Sequence, residues 1–190
     1  MLELALHILD IAENSSRADA SLIEITIEED TARDTFSLEV RDNGSGMDEA
    51  MVERVLDPFF TTKKVRRVGL GLPMLSQAAR LTGGEFSLQS RVGEGTVVRA
   101  VFGHSHIDRQ PLGDIAGSVT ALILGNPDRD FVYTHRKNGQ TYVLDTREIR
   151  ETLGDVPLNH PEVLALLRDN IREGVAELDE PEGALDTLPG

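Results

Sequence analysis

Asp10-Ile11-Ala12-Glu13-Asn14-Ser15-Ser16-Arg17 lies in an opening run, Leu2 to Ala18, whose apolar residues Leu2, Leu4, Ala5, Leu6, Ile8, Leu9, Ile11 and Ala12 cover much of a helix surface. On that helix Asp10, Asn14 and Arg17 stand at i, i+4 and i+7, so all three project from one face. An acid, a neutral amide and a guanidinium in one row suit a metal–phosphate site. The amide oxygen can ligate Mg²⁺, the guanidinium can pair with phosphate oxygens, and the acid can orient or deprotonate a nucleophile. Taken alone, the same row also reads as a solvated helix face.

Downstream of the helix, Leu22 to Glu28 alternates with period two and Phe36 to Val40 repeats the alternation, which predicts two antiparallel strands. Asp48 is a fair N-cap for a short helix through Val55. Asp57 to Val68 reads as a loop. Gly69-Leu70-Gly71-Leu72 then opens a helix that stops near Gly83-Gly84, and strands follow at Glu85 to Ser90 and Thr96 to Phe102. Beyond Gly103 the pattern weakens. It predicts a helix at Ile115 to Leu124, a hairpin of Phe131 to His135 with Thr141 to Leu144 around Asn138-Gly139, and helices at Asp145 to Leu153 and Pro161 to Leu178.

Three further segments carry chemistry. Asp42-Asn43-Gly44-Ser45-Gly46-Met47 sets a carboxylate at a strand end, able to accept from an exocyclic amine, beside glycines that let a flat ligand approach the backbone. By itself Asp-Asn-Gly is also ordinary turn chemistry. Asp57-Pro58-Phe59-Phe60-Thr61-Thr62-Lys63-Lys64 holds two of the six phenylalanines, so at least one ring is expected in a core or against a partner. Gly69 to Leu72 opens a helix, where unpaired N–H groups and the helix dipole favour phosphate.

Composition narrows the function classes. The 190 residues carry 33 acidic and 19 basic side chains, a net charge of −14, with neither the basic excess nor the basic stripe of a nucleic-acid binder. No window approaches the apolar length of a membrane span, and Glu3 and Asp10 break what would be a secretion signal. The absence of cysteine excludes disulfides, thiolate catalysis and Cys-ligated metals. A cytoplasmic protein without membrane or nucleic-acid partners is expected.

In this order the four segments resemble the GHKL ATPase superfamily, which includes gyrase B, the heat-shock-90 chaperones, MutL and the sensor histidine kinases. Asp10 to Arg17 resembles its N box, Asp42 to Gly46 the G1 box, Asp57 to Lys63 the F box and Gly69 to Leu72 the G2 box. Gly93-Glu94-Gly95-Thr96 resembles the later glycine–threonine element. The F box followed closely by Gly-Leu-Gly-Leu is most like that of sensor histidine kinases. The resemblance implies a Bergerat-type α/β fold, an α+β two-layer sandwich with a mixed sheet and helices on one face. It implies ATP and Mg²⁺ as ligands, with Asn14 on the metal, Arg17 on phosphate, and Asp42 and Thr96 on the adenine amine. Gly44 and Gly46 would make room for the base. Gly69, Leu70, Gly71 and Leu72 would wrap the phosphates, and the 57–68 lid would bring in Lys63. Met47, Phe60 and Thr61 complete the implied nucleotide set, and Asp10, Arg17 and Lys63 the catalytic one.

The departures from the family pattern shape the expectation. Asp10 stands where hydrolysing members carry glutamate, one methylene shorter. The sequence opens at the N box, so a phospho-accepting histidine on a preceding hairpin is not expected. His7, within the same helix, reads as a packing or nucleotide-side residue, and His104 and His106 read as surface linker residues. The expected organisation is an ATP-binding domain over 1–103, a small α+β extension over 104–179 and a flexible acidic tail over 180–190. The expected function is an ATPase or ATP-dependent kinase acting on a separate partner protein. The alternative is a nucleotide-gated interaction switch with little or no turnover. A homodimer is left open.

Overall fold

The computed structural model describes residues 3–57, 59 and 71–180. The expectations for Phe60, Thr61, Lys63, Gly69, Leu70 and the tail from 181 lie outside the described residues.

The first helix, α1 (Leu4–Arg17), turns its buried stripe of Leu4, Ile8, Ile11 and Ser15 inward. Strands β1 (Leu22–Asp30) and β2 (Thr35–Asp42) pair antiparallel, with Ile23, Ile25, Ile27, Phe36, Leu38 and Val40 on one buried face. Helix α2 (Glu49–Val55) is capped by Asp48, whose side chain accepts from Met51 N–H. Helix α3 (Gly71–Leu81) ends before Gly83, which is at φ +73°. Strands β3 (Glu85–Arg91) and β4 (Gly95–Gly103) follow, and β4 adds to β2.

The residues after Gly103 do not leave this sheet. Helix α4 (Ile115–Gly125) leads to β5 (Asp130–Lys137), which pairs parallel with β1, and β6 (Gln140–Asp145) adds antiparallel outside it. One six-stranded mixed sheet results, in the order β3-β4-β2-β1-β5-β6. Helix α5 (Thr146–Leu153) packs on β5, and α6 (Pro161–Glu177) lies against α4. A single apolar cluster runs through α1, α3, α4, α6 and the inner face of the sheet. The outer face carries Glu24, Glu28, Glu39, Arg41, Arg99 and Arg136, with opposite charges at paired positions Glu24–Arg41, Glu39–Arg99 and Glu28–Arg136. Helices on one face and self-matched charges on the other make a two-layer α+β architecture.

One end of the inner face is closed by a polar network. Glu29 on β1 accepts from His135 Nε2 (2.7 Å) and His104 Nε2 (2.9 Å), and the His135 Nδ1 meets the Tyr133 hydroxyl at 2.8 Å. Lys137 lies 3.8 Å from Glu29 and also binds Asp179. Burial alone would raise the Glu29 pKa. The two histidine hydrogen bonds and the Lys137 charge overcome it and bring the group down to about 2. His104 is thus a tie between β4 and β1 rather than a free linker residue.

The unfolded chain takes up a proton on this carboxyl before the folded one does. Glu29 therefore stabilises the fold fully above about pH 4.5, and that contribution drains away as pH falls towards about 2. Glu29→Gln should cost about 1–3 kcal/mol at neutral pH, because charge-assisted bonds to buried groups are lost. Its unfolding free energy, followed by denaturant titration, should then fall less steeply than wild type between those pH values.

Candidate functional site

At the other end of the sheet the inner face opens into a cavity of about 380 Å³. Its walls are the last two turns of α1, the end of β2 with the following loop, α2, the first residues of α3, and the ends of β3 and β4. Of the residues singled out in the sequence, Asp10, Asn14, Arg17, Asp42, Gly46, Met47, Gly71, Leu72 and Thr96 all line it. Asp42 and Asn14 open onto this same space.

The floor is built by strand alternation. Asp42 is the last inward-facing residue of β2 after Phe36, Leu38 and Val40, and it lies directly opposite Thr96 on β4. Val98 on β4 and Leu88 on β3 continue the same face and make the floor apolar. Both Asp42 oxygens are held. Oδ2 accepts from the Ser15 hydroxyl at 2.5 Å and Oδ1 from the Gly44 N–H at 2.9 Å. Gly44 does not line the cavity and acts through this bond. Ser90 Oγ accepts from Met47 N–H (2.8 Å), donates to the Gly95 carbonyl (3.0 Å) and meets Thr96 Oγ1 at 2.8 Å. Thr96 then donates to Ser90, and its Oγ1 keeps lone pairs to accept from a ligand.

Gly46 and Gly71 stand where the chain comes close to its neighbours. Gly46 is at φ +66°, and a Cβ there would lie 1.9 Å from the Arg91 carbonyl oxygen. A Cβ on Gly71 would lie 2.0 Å from Asp10 Oδ2, so the first turn of α3 sits directly on the Asp10 carboxylate.

On α1, Asp10 and Asn14 are half-buried and Arg17 is exposed. Arg17 donates to Asn14 Oδ1 at 3.2 Å and pairs with Glu13 at 3.5 Å. Burial, and then the Glu13 charge, push the Asp10 carboxyl above the ordinary aspartate range, with Arg17 pulling partly back. His7 is buried one turn earlier. Its Nε2 lies 3.1 Å from Gln110 Oε1, and burial lowers its pKa. It is a packing residue outside the cavity. Phe59 is 91 % exposed, so the ring expected in a core or against a partner is not buried in this chain at Phe59.

Sequence reasoning missed Ser15 and Ser90. Ser15 continues the buried stripe of Ile8 and Ile11, and Ser90 the inward series of Phe86 and Leu88. A hydroxyl at a core-facing position was the available signal, because it needs a buried partner.

The donor set suits a metal–nucleotide more than a free ion. No group of three or more His, Cys, Asp or Glu side chains that could hold a metal occurs among the described residues. Asn14 Oδ1 already faces a cation, the Arg17 guanidinium. Mg²⁺ commonly takes only one or two protein oxygens and completes its shell with phosphates and water. This arrangement fits that pattern.

Comparison with known proteins agrees with the geometry. Residues 2–105 match the model of the family described as histidine kinase-, DNA gyrase B-, and HSP90-like ATPase. The sensor kinase CckA of Brucella abortus is 32 % identical over 110 residues, covering 50 % of this chain and 12 % of that protein. The sensor protein kinase FleS of Pseudomonas aeruginosa is 38 % identical over 89 residues, covering 47 % and 22 %. The chain thus spans under a quarter of the length of these relatives. Among solved structures, the Aquifex aeolicus MutL ATPase domain complexed with ADP superposes with a TM-score of 0.52 at 15 % identity, covering 95 % of this chain and 99 % of that one. That likeness extends the shared fold well past residue 105. No helix among the described residues is long and apolar enough to cross a membrane. On the sequence match and the sheet-end cavity together, the chain belongs to the histidine kinase-, gyrase B- and HSP90-like ATPase family, whose members bind ATP.

Proposed function

We propose that the cavity binds Mg–ATP and that the domain works as a kinase or ATPase on a separate partner protein. The observation that carries this reading is that the Asp42 carboxylate and the Asn14 amide share one space with an apolar floor. Asp42 and Thr96 accept from the adenine amine, Leu88 and Val98 take the ring face, and Met47 and Met51 border it. Asn14 ligates Mg²⁺ and Arg17 meets phosphate, with Lys63, Phe60, Thr61, Gly69 and Leu70 assigned to the nucleotide by the family motifs alone.

When bound, Mg²⁺ would neutralise charge on the phosphates. The chain's own residues do the rest. Ser15 and the Gly44 N–H fix the Asp42 carboxylate in its plane, so its remaining lone pairs are set for an amine. Asp10, with its raised pKa, is a better proton acceptor than an exposed aspartate and is placed to take a proton from water or a partner hydroxyl. Arg17 supplies positive charge at the mouth.

Calorimetry tests the binding. Mg²⁺ alone should give no heat, ADP should bind, and Mg²⁺ should tighten ADP binding in wild type but not in Asn14→Ala. Asp42→Asn should weaken ADP by about 10- to 100-fold, since the acceptor facing the amine becomes a donor. Unchanged Mg–ADP affinity in both variants would overturn the assignment. Phosphate release and transfer to candidate proteins then separate an enzyme from a nucleotide-gated switch, which would bind tightly without turnover.

Turnover, where measured, should rise with pH through an apparent pKa above the ordinary aspartate value and lose that rise in Asp10→Asn. The same shift acts on stability with the opposite sign to Glu29. The folded carboxyl holds its proton more tightly than the unfolded one, so this contribution is present at low pH and is lost as pH rises through the folded pKa.

A further inference from the structure

Asn14, Ser15 and Ala18 face the cavity from the last turn of α1 and its C-cap, so the pose of that helix end sets the distance between Asn14 and Asp42. The helix is gripped at both ends by residues beyond the family match. At its N-terminus the Leu4 and Ala5 N–H groups donate to the Pro111 and Leu112 carbonyls at 2.9 and 2.8 Å. The Glu3 carboxylate accepts from Asp114 N–H at 3.0 Å. At its C-terminus the Arg129 guanidinium donates to the Ala20 carbonyl at 2.6 Å and the Ser16 carbonyl at 3.3 Å, and pairs with Asp19 at 3.4 Å.

Arg129 is itself braced. Its carbonyl accepts from Arg150 of α5 at 2.8 Å, and Arg150 also donates to the Pro127 carbonyl (2.5 Å) and the Asp130 carboxylate (3.0 Å). Asp130 N–H donates to the Ser21 carbonyl at 2.9 Å, tying the same loop to the α1–β1 turn.

A helix C-terminus leaves carbonyls without intrahelical partners, and its dipole favours a cation there. A lysine would meet that need as a point charge. The planar guanidinium reaches several acceptors in fixed directions, so it fixes the rotation of the turn as well as its position. Arg129 does not line the cavity, and any effect on a ligand passes through α1.

We propose that Arg129, braced by Arg150, is a positioning residue for the nucleotide cavity: the segment after residue 103 holds the C-terminal end of α1 so that Asn14 and Ser15 face Asp42. The inference rests on the nucleotide reading above and deepens it, by making affinity for nucleotide depend on the α5–loop–α1 brace.

The test uses the whole chain. Arg129→Met, Arg129→Lys and Val163→Ala, a core change in α6, are compared by Mg–ADP calorimetry well below their melting temperatures. Backbone amide spectra of Asn14 and Ser15, with the Asn14 side-chain amide, are recorded without nucleotide. Arg129→Met should weaken Mg–ADP by about fivefold or more and shift the Asn14 and Ser15 amides. Arg129→Lys should recover part of both, and Val163→Ala should lower the melting temperature while leaving both near wild type. If Arg129→Met fails to fold, Arg150→Met should show the same pattern more weakly. Wild-type affinity with unmoved Asn14 and Ser15 signals in Arg129→Met would overturn the inference. So would an equal loss in Val163→Ala. If wild type binds no Mg–ADP, the nucleotide reading fails, while the amide shifts still decide whether Arg129 positions α1.

Discussion

The Ala18 carbonyl, the Asn43 side chain and the Ser45 N–H hold together the two elements that everything at this end of the molecule requires. Ser45 N–H donates to the Ala18 carbonyl at 2.8 Å, and Asn43 Oδ1 accepts from the Ser21 and Leu22 N–H groups at 2.9 and 3.0 Å. The end of α1 and the loop after β2 are thus one hydrogen-bonded unit. A helix end and a strand end each leave backbone groups unpaired, and here each supplies what the other lacks. Because the unit is closed on the backbone side, the side chains that flank it, Asn14, Ser15 and Asp42, can all face the cavity. The Ser15 to Asp42 bond then couples helix to sheet directly.

That coupling explains why the cavity sits at a sheet end and not over its middle. Along β1, β2 and β5 the inner face is occupied by Ile23, Ile25, Leu38, Val40, Phe131 and Tyr133, all buried in the cluster that also takes in α1 and α4. Where β2, β3 and β4 run past α1 towards α2 and the start of α3, the described helices leave room for the cavity. The cavity floor joins the apolar residues of strand alternation, Leu88 and Val98, to the polar ones, Asp42 and Thr96. An apolar slot with a few convergent polar groups is what a flat heterocycle requires.

Much of this was legible in the sequence for definite reasons. Helix α1, the pairs β1–β2 and β3–β4, and the Asn138-Gly139 hairpin each carry a period or a turn residue that local physics reads directly. Helix α4 carried a weaker signal because its polar face is missing. It is wedged between α1 and α6, and Ile115, Val119, Leu122 and Ile123 are buried around most of its circumference. The parallel pairing of β1 with β5 could not be read at all. It joins strands about a hundred residues apart, and alternation states which face is buried without naming the neighbour. Ser15 and Arg129 were missed for a related cause. Their importance lies in partners, Asp42 and the carbonyls of Ser16 and Ala20, that only the assembled structure brings within reach.

The two ionisable clusters at opposite ends of the inner face show how the same side chains divide into structural and functional roles. Glu29 sits among His135, His104 and Lys137, its oxygens filled by donors, and its carboxyl is driven down to about 2. Such a group gains nothing from a ligand, since any ligand would have to displace partners already in place. Asp10 sits against the backbone of Gly71 with Glu13 as an acidic neighbour, and burial drives its carboxyl up. An acid that lines a cavity and holds its proton more tightly than usual is suited to exchange protons with what enters it. The fold therefore carries a donor-filled acid at the closed end of the sheet and an acid of raised pKa at the end that opens into the cavity.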